Sequence, residues 1–154
     1  MLESIKNSGL QDAATPRRRL SHVEALRRGL SVDPPARKRD RTRARLLVAT
    51  AEVLAEKGFE RLRIADVAAA ADISPAAFYA YFTDRGDAAQ RVLTRFVDRL
   101  YALEGADQRA LGGPEALRRL ITAQLAVAHA DGGLLRALGQ AVDVTPTLAD
   151  QVRR

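Results

Sequence analysis

Residues 63–85 read RIADVAAAADISPAAFYAYFTDR, and they spell two short helices joined by a tight turn. Ile64, Val67, Ala68 and Ala71 recur at three- and four-residue spacing, so they share one face of a short helix whose other positions are small or charged. Asp72 interrupts that run. Asp is among the few non-glycine residues that enter the left-handed conformation at modest cost, the conformation in which a helix often stops and turns. Ile73 can tuck beneath the corner. Ser74-Pro75 then predicts a new helix, because the hydroxyl accepts an orphan backbone N–H and proline pre-sets the first helical dihedral.

The second helix is expected over about Pro75 to Phe82. Phe78 and Phe82, four residues apart, pack inward against Ile64, Val67 and Ile73. Pro75, Ala76, Ala77, Tyr79, Ala80 and Tyr81 make up the opposite face. Small side chains let such a helix sit deep in a groove, and the two phenols are suited to donate to phosphate, although packing is the competing reading for both. This is the arrangement of a helix-turn-helix that reads DNA.

The span from Arg43 to Leu93 resembles the N-terminal domain of TetR-family transcriptional regulators. It supplies Gly58-Phe59 closing a first helix, the pair Val67-Ala68, the turn Ala71-Asp72-Ile73-Ser74, the block Phe78-Tyr79-Ala80-Tyr81-Phe82 and the basic Arg85. The departures are local. Arg63 stands where the family has a Thr or Ser cap and cannot accept a backbone N–H, leaving that helix end to water or to Asp66; its guanidinium can instead reach a phosphate or a guanine edge, or simply be solvated. Asp72 replaces the usual turn glycine, and Gly86-Asp87 predicts an irregular start for the helix that follows.

Charge divides the chain unevenly. Of 154 residues, 25 are Lys or Arg and 19 Asp or Glu, a formal net charge of +6. Residues 1–45 hold 12 basic and 5 acidic side chains, while the remainder is close to neutral. With Pro16, Pro34, Pro35, Gly9 and Gly29 among many Ser and Arg, residues 1–36 are expected to be a disordered basic extension carrying at most a transient helix over His22 to Arg28. Arg37, Lys38, Arg39, Arg41, Arg43 and Arg45 form a dense run suited to neutralising phosphates or entering a minor groove.

The periodicity predicts an all-α chain in three parts, the extension 1–36, a three-helix helix-turn-helix domain over 37–86 and a helical segment over 87–154; the resemblance makes the second a DNA-binding domain and the third a partial ligand-binding and dimerisation domain. A helix over Asp40 to Lys57 buries Leu46, Leu47, Thr50, Val53 and Leu54, with Gly58 just past its end. Another over Asp84 to Glu104 carries Ala89, Val92, Leu93, Phe96, Val97, Leu100 and Leu103. Gly105 to Pro114 reads as a linker. A helix from Pro114 closes at Asp131-Gly132-Gly133, a sixth carries Leu134, Leu135, Leu138 and Val142, and Thr145-Pro146-Thr147 starts a seventh.

The resemblance implies a repressor that binds double-stranded DNA at a palindromic operator as a homodimer and is released by a small hydrophobic effector. Its candidate DNA contacts are Arg37, Lys38, Arg39, Arg41, Arg43, Arg45, Arg63, Ser74, Pro75, Ala76, Ala77, Tyr79, Tyr81 and Arg85. Its candidate effector residues are Phe96, Leu100, Leu120, Gln124 and Leu138, for which plain core packing is the competing reading. Family members continue into two further helices that form the dimer interface, so either this chain is a truncated or frameshifted product, the favoured expectation, with Leu134, Leu135, Leu138 and Leu148 short of partners, or its later helices supply a different and smaller interface. A DNA-binding accessory protein without an effector and a helical protein-interaction module stay open. Enzymatic constellations, zinc-ligand spacings and Gly-rich phosphate loops are missing from the sequence, which also has no Cys, so neither a metal nor a cofactor is expected. Without a membrane-length apolar run or a signal peptide, the expected location is the cytoplasm.

Overall fold

The computed structural model describes residues 19–108 and 114–153, with the side chains of 103–108, 114–117, 119 and 120 outside that description. Seven helices are present among the described residues: α1 (His22–Val32), α2 (Lys38–Lys57), α3 (Ile64–Ala70), α4 (Pro75–Phe78), α5 (Arg85–Gln108), α6 (Pro114–Val142) and α7 (Pro146–Val152). No helix among them is long and apolar enough to cross a membrane.

α2 is the central strut. Leu46, Leu47, Thr50, Val53 and Leu54 are all buried, as their spacing predicts, and Thr50 satisfies its hydroxyl on the Leu46 carbonyl at 2.7 Å. Gly58 ends the helix at φ 81, where a side chain would be strained. A Cβ there would also lie 2.6 Å from Gln140 Oε1, which instead accepts the Phe59 backbone N–H at 2.8 Å. The last turn of α2 is thus capped from α6. Arg136 adds donors to the Ala55 and Glu56 carbonyls, at 3.3 and 3.4 Å. Gly133 lets the two helices touch: a Cβ at that position would run into the Ala55 carbonyl oxygen.

One hydrophobic core runs from α2 through Val67, Phe78, Phe82 and Phe96 to Leu134, Leu138 and Leu148. The leucines expected to be short of partners therefore have them: Leu134, Leu138 and Leu148 are buried, and Leu135 is half-buried against the same core. The expected linker also begins later than the composition suggested. α5 continues through Gly105 to Gln108, since one helical glycine costs only about 1 kcal/mol against continued backbone bonding; residues 109–113 lie outside the described residues. The break at Asp131 is a kink rather than a stop, with Asp131 at φ −124, ψ 18 inside α6.

The largest difference is N-terminal. Residues 1–18 lie outside the described residues, but the stretch from His22 to Arg28, expected to be at most a transient helix, is part of a formed helix, His22–Val32, docked on α2. A reciprocal cap starts it: Ser21 Oγ accepts the Glu24 N–H at 3.1 Å while the Glu24 carboxylate accepts the Ser21 N–H at 2.8 Å. Val23 and Leu26 pack against the core, and Arg27 pairs with Glu52 of α2 at 2.7 Å. Pro34-Pro35 ends it, because proline cannot supply the next helical N–H.

Candidate DNA-binding surface

The turn between α3 and α4 is built as its residues require. Asp72 sits at φ 54, the one non-glycine residue with positive φ among the described residues. Its neighbour Ile73 donates its N–H to the Ala68 carbonyl at 3.0 Å, closing the corner. Ser74 Oγ accepts the Ala77 N–H at 3.1 Å, and Pro75 occupies the first helical position. Arg63 precedes α3 without a capping side chain. Asp66 in the first turn of α3 instead pairs with Lys57 at 3.0 Å, placing a carboxylate near the positive end of the helix.

α4 is shorter than expected. After Phe78 the backbone tightens, with Ala80 N–H on the Ala77 carbonyl and Tyr81 N–H on the Phe78 carbonyl, at 3.2 and 2.9 Å. The three-residue spacing rotates the side chains that follow. Phe78 and Phe82 remain buried with ring centroids 5.4 Å apart, Tyr79 stands 59 % exposed, and Tyr81 turns half inward against the core. Ser74, Pro75, Ala76 and Ala80 are exposed and Ala77 is half-buried, so this outer face is small and flat. Of the two phenols, Tyr79 is the more exposed, its ring meeting the buried Phe78 edge-on at 5.8 Å.

The basic side chains divide into two groups. Four of them brace the unit. Arg45 Nη2 donates to the Ala71 carbonyl at 2.6 Å and lies 3.9 Å from Asp72, so it grips the turn itself. Arg39 donates to the Ala80 carbonyl at 3.3 Å, and the Arg43 guanidinium lies over the Phe82 ring at 6.0 Å. Arg85 holds the segment entering α3 through the Leu62 and Glu60 carbonyls, at 2.8 and 3.2 Å. Arg41 works farther back, donating to the Pro35 and Ala36 carbonyls at 3.1 and 2.7 Å. All five keep part of their surface in solvent, and a guanidinium with five N–H donors can hold a carbonyl and still face a phosphate. The second group, Arg37, Lys38 and Arg63, is exposed, with no side-chain hydrogen bond or ion pair among the described residues.

The run 37–45 is therefore not one arm: Arg39, Arg43 and Arg45 turn to the α3–α4 unit, Arg41 turns back to the Pro35 and Ala36 carbonyls, and Arg37 and Lys38 stay free of protein partners among the described residues. The start of α5 is likewise more regular than its Gly86-Asp87 suggested. Asp84 Oδ1 accepts the Asp87 N–H at 2.8 Å, and Asp87 Oδ2 accepts the Thr83 N–H at 3.2 Å. Burial opposes ionisation of Asp87, but its bonds to Arg91 and Thr83 outweigh it and hold the carboxyl below its usual range.

The candidate effector residues do not gather around one space. Phe96 and Leu138 are buried in the core, Leu100 is half-buried against it, Gln124 is exposed, and the side chain of Leu120 lies outside the described residues. A cavity of about 1040 Å³ opens elsewhere, between the start of α1, the end of α2 and the middle of α6. Val23, Ala55, Leu125 and Ala126 give it apolar walls, and Arg19, Glu52, His129 and Asp131 bring charged or polar groups.

With this geometry in place, residues 46–90 match the family model for bacterial regulatory proteins of the tetR family. No curated protein and no solved structure matches the chain.

Proposed function

We propose that this chain, whose residues 46–90 match the family model for bacterial regulatory proteins of the tetR family, is a cytoplasmic DNA-binding transcription repressor of that family, released by a small hydrophobic effector. The observation that carries this reading is the flat outer face of Pro75–Ala80, seated on buried Phe78 and Phe82 and flanked by basic side chains. Pro75, Ala76 and Ala77 approach base edges in the major groove. Ser74 and Tyr79 meet the phosphates beside them, and Arg37, Lys38 and Arg63 supply phosphate contacts from either side. Arg39, Arg43, Arg45 and Arg85 hold the reading unit in shape while offering their remaining donors to the backbone. Two copies related by a two-fold axis read a palindromic operator.

The cavity between α1, α2 and α6 is of the size that small-molecule sites have and combines apolar walls with a few polar groups. That combination supports it as the seat of the effector.

Selection of duplex DNA from a random library by the purified protein, followed by sequencing, tests the reading. Recovery of one two-fold symmetric sequence is the expected result. Recovery of unselected DNA would support an architectural accessory role, and recovery of none would end the DNA reading.

A further inference from the structure

The N-terminal helix touches both functional halves of the molecule. At its start, the His22 backbone N–H donates to Asp131 Oδ1 at 2.6 Å, across 109 residues of sequence. Asp131 is 3 % exposed and is the residue at which α6 kinks. The His22 ring is equally buried and meets Phe96 of α5 edge-on at 5.4 Å, while Arg99 of α5 donates to the Leu20 carbonyl at 2.7 Å. At its other end, α1 runs through Asp33 to Pro34-Pro35, and the Pro35 and Ala36 carbonyls are held by Arg41 of α2. Next along the chain come Arg37 and Lys38, the exposed pair proposed to contact phosphate, and Arg39, which holds the end of the reading helix at Ala80.

We infer that Asp131 is a positioning residue for DNA binding, acting through α1 as a clasp between the kink of α6 and the corner at residues 33–37 that leads into α2. The inference rests on the proposed DNA reading and extends it to a residue remote from the reading helix. An eleven-residue helix spans about 16 Å as a rigid rod, so anchoring its first turn fixes where its last turn delivers the corner. Undocked, residues 33–37 become a tether held only by Arg41 of α2, and the start of α2 with Arg37 must be ordered again each time DNA binds.

The docking is balanced rather than overwhelming. The bond to Asp131 is short, and the reciprocal cap at Ser21 and Glu24 is complete. Against these, Asp131 Oδ2, both His22 ring nitrogens, and Arg19 Nε and Nη2 are buried without hydrogen-bond partners. Groups buried without partners oppose docking, and Arg19 and Asp131 also line the cavity beside it. The cavity beside the clasp has both sides of it as walls, with Val23 from α1 and Leu125 and Asp131 from α6. An occupant there presses on the contact that sets the corner.

The test uses the full chain, the DNA it selects, and the variants Asp131→Ala and Asp131→Asn. Hydrogen exchange of the Val23–Asp33 amides reports docking, and anisotropy reports DNA affinity. In Asp131→Ala the α1 amides should exchange at least about tenfold faster, and affinity should fall roughly fivefold as the competent fraction drops. Asp131→Asn, which keeps a carbonyl acceptor for the His22 N–H, should restore both to within about twofold. Should Asp131→Ala fail to fold, Arg99→Met loosens the same segment from α5 and is expected to move both readouts in the same direction. Freed α1 amides with unchanged affinity would overturn the inference, as would α1 amides that stay protected. Those results would leave the DNA reading standing, whereas a parent protein that selects no DNA would refute the reading and the inference together.

Discussion

The turn that carries the reading helix and the junction that carries α1 both depend on one aspartate, and the two aspartates are held in opposite ways. Asp72 is almost fully exposed in its side chain; its work is conformational, at φ 54, and the bonds around it span a few residues except for the brace from Arg45. Asp131 is buried, and the partner that fixes it is 109 residues away. A turn made from local bonds keeps its shape wherever the rest of the chain goes. A junction made from distant, buried polar groups depends on packing, on pH and on whatever occupies the space beside it. On the proposed function, a stiff reading unit is joined to an adjustable support.

The largest effect should come from placing charge on the stiff unit. Ala77→Glu puts a carboxylate on the face proposed to enter the groove, where the surrounding phosphates repel it. DNA affinity should fall by about a hundredfold or more, which at about 1.4 kcal/mol per decade is roughly 3 kcal/mol, with the circular dichroism of the fold retained. Tight binding by a folded Ala77→Glu protein would move the reading surface elsewhere and leave Asp72 as an ordinary turn residue.

The adjustable junction should reveal itself through pH. Burial, followed by the charges of Arg99 and Arg95, pushes the His22 imidazole down to about 4. Arg95 and Arg99 act on it from α5, while Asp131 of α6 holds the His22 backbone N–H and in turn feels Arg19, from the segment before α1. A histidine whose folded pKa is depressed keeps its full stability contribution above the unfolded value near 6.5 and loses it as pH falls toward the folded value. Acidification from about pH 7 to 4 should thus cost on the order of 3 kcal/mol at this site. Asp131 opposes part of that loss at the acid end, because burial raises its carboxyl above the usual range and its protonation relieves a charge. Chemical denaturation at a series of pH values, with His22→Leu for comparison, checks it. The variant should show a flatter profile between about pH 6.5 and 4, and equal slopes in both proteins would remove His22 as the acid-sensitive group.

These two regions also show what was legible in the sequence. Ile64, Val67, Asp72, Ser74, Phe78 and Phe82 announce their roles within a window of about twenty residues, because caps, turns and helical faces are set by neighbours. The α2 core positions followed from the same periodicity. α1 had a local signal too, since Ser21-x-x-Glu24 is a capping box, but its surroundings of Arg, Gly and Pro outweighed it in a compositional reading. What fixes α1 is Asp131 and Phe96, and their approach is a product of the fold. The split of the basic run had a similar cause. Arg39 and Arg45 are braces only because the Ala80 and Ala71 carbonyls come to meet them.

Gly133→Ala probes the support mechanically. The added Cβ would meet the Ala55 carbonyl oxygen, part of the rigid last turns of α2, so α6 must move away. Overpacking of this kind typically costs about 1–3 kcal/mol, seen as a lower unfolding midpoint. Because α6 carries Asp131, Arg136 and Gln140, the shift should also speed exchange of the α1 amides while leaving those of α3 comparatively protected. Equal acceleration in α1 and α3 would mean that support and reading unit open together, and that the contrast between them does not extend to their dynamics.

The smallest expected effect concerns the corner where the two regions meet. The side chains of Arg37 and Lys38 make no bond among the described residues, so replacing both with Ala should leave stability within about 0.5 kcal/mol. Their proposed work is on phosphate, and removing each such interaction should reduce the slope of log affinity against log salt by about 0.9. The double variant should therefore bind with a slope shallower by nearly two and with the same sequence preference. Arg45→Ala is the informative contrast. It also removes one positive charge, but it takes away the grip on the Ala71 carbonyl, so it should cost affinity beyond the salt term and loosen discrimination between operator and unrelated DNA. If Arg45→Ala instead behaves as a simple phosphate contact, with a slope change near one and discrimination intact, then the turn is held by Asp72 and Ser74 alone. If Arg37→Ala with Lys38→Ala alters the preferred sequence, the corner reads a minor groove in addition to neutralising the backbone.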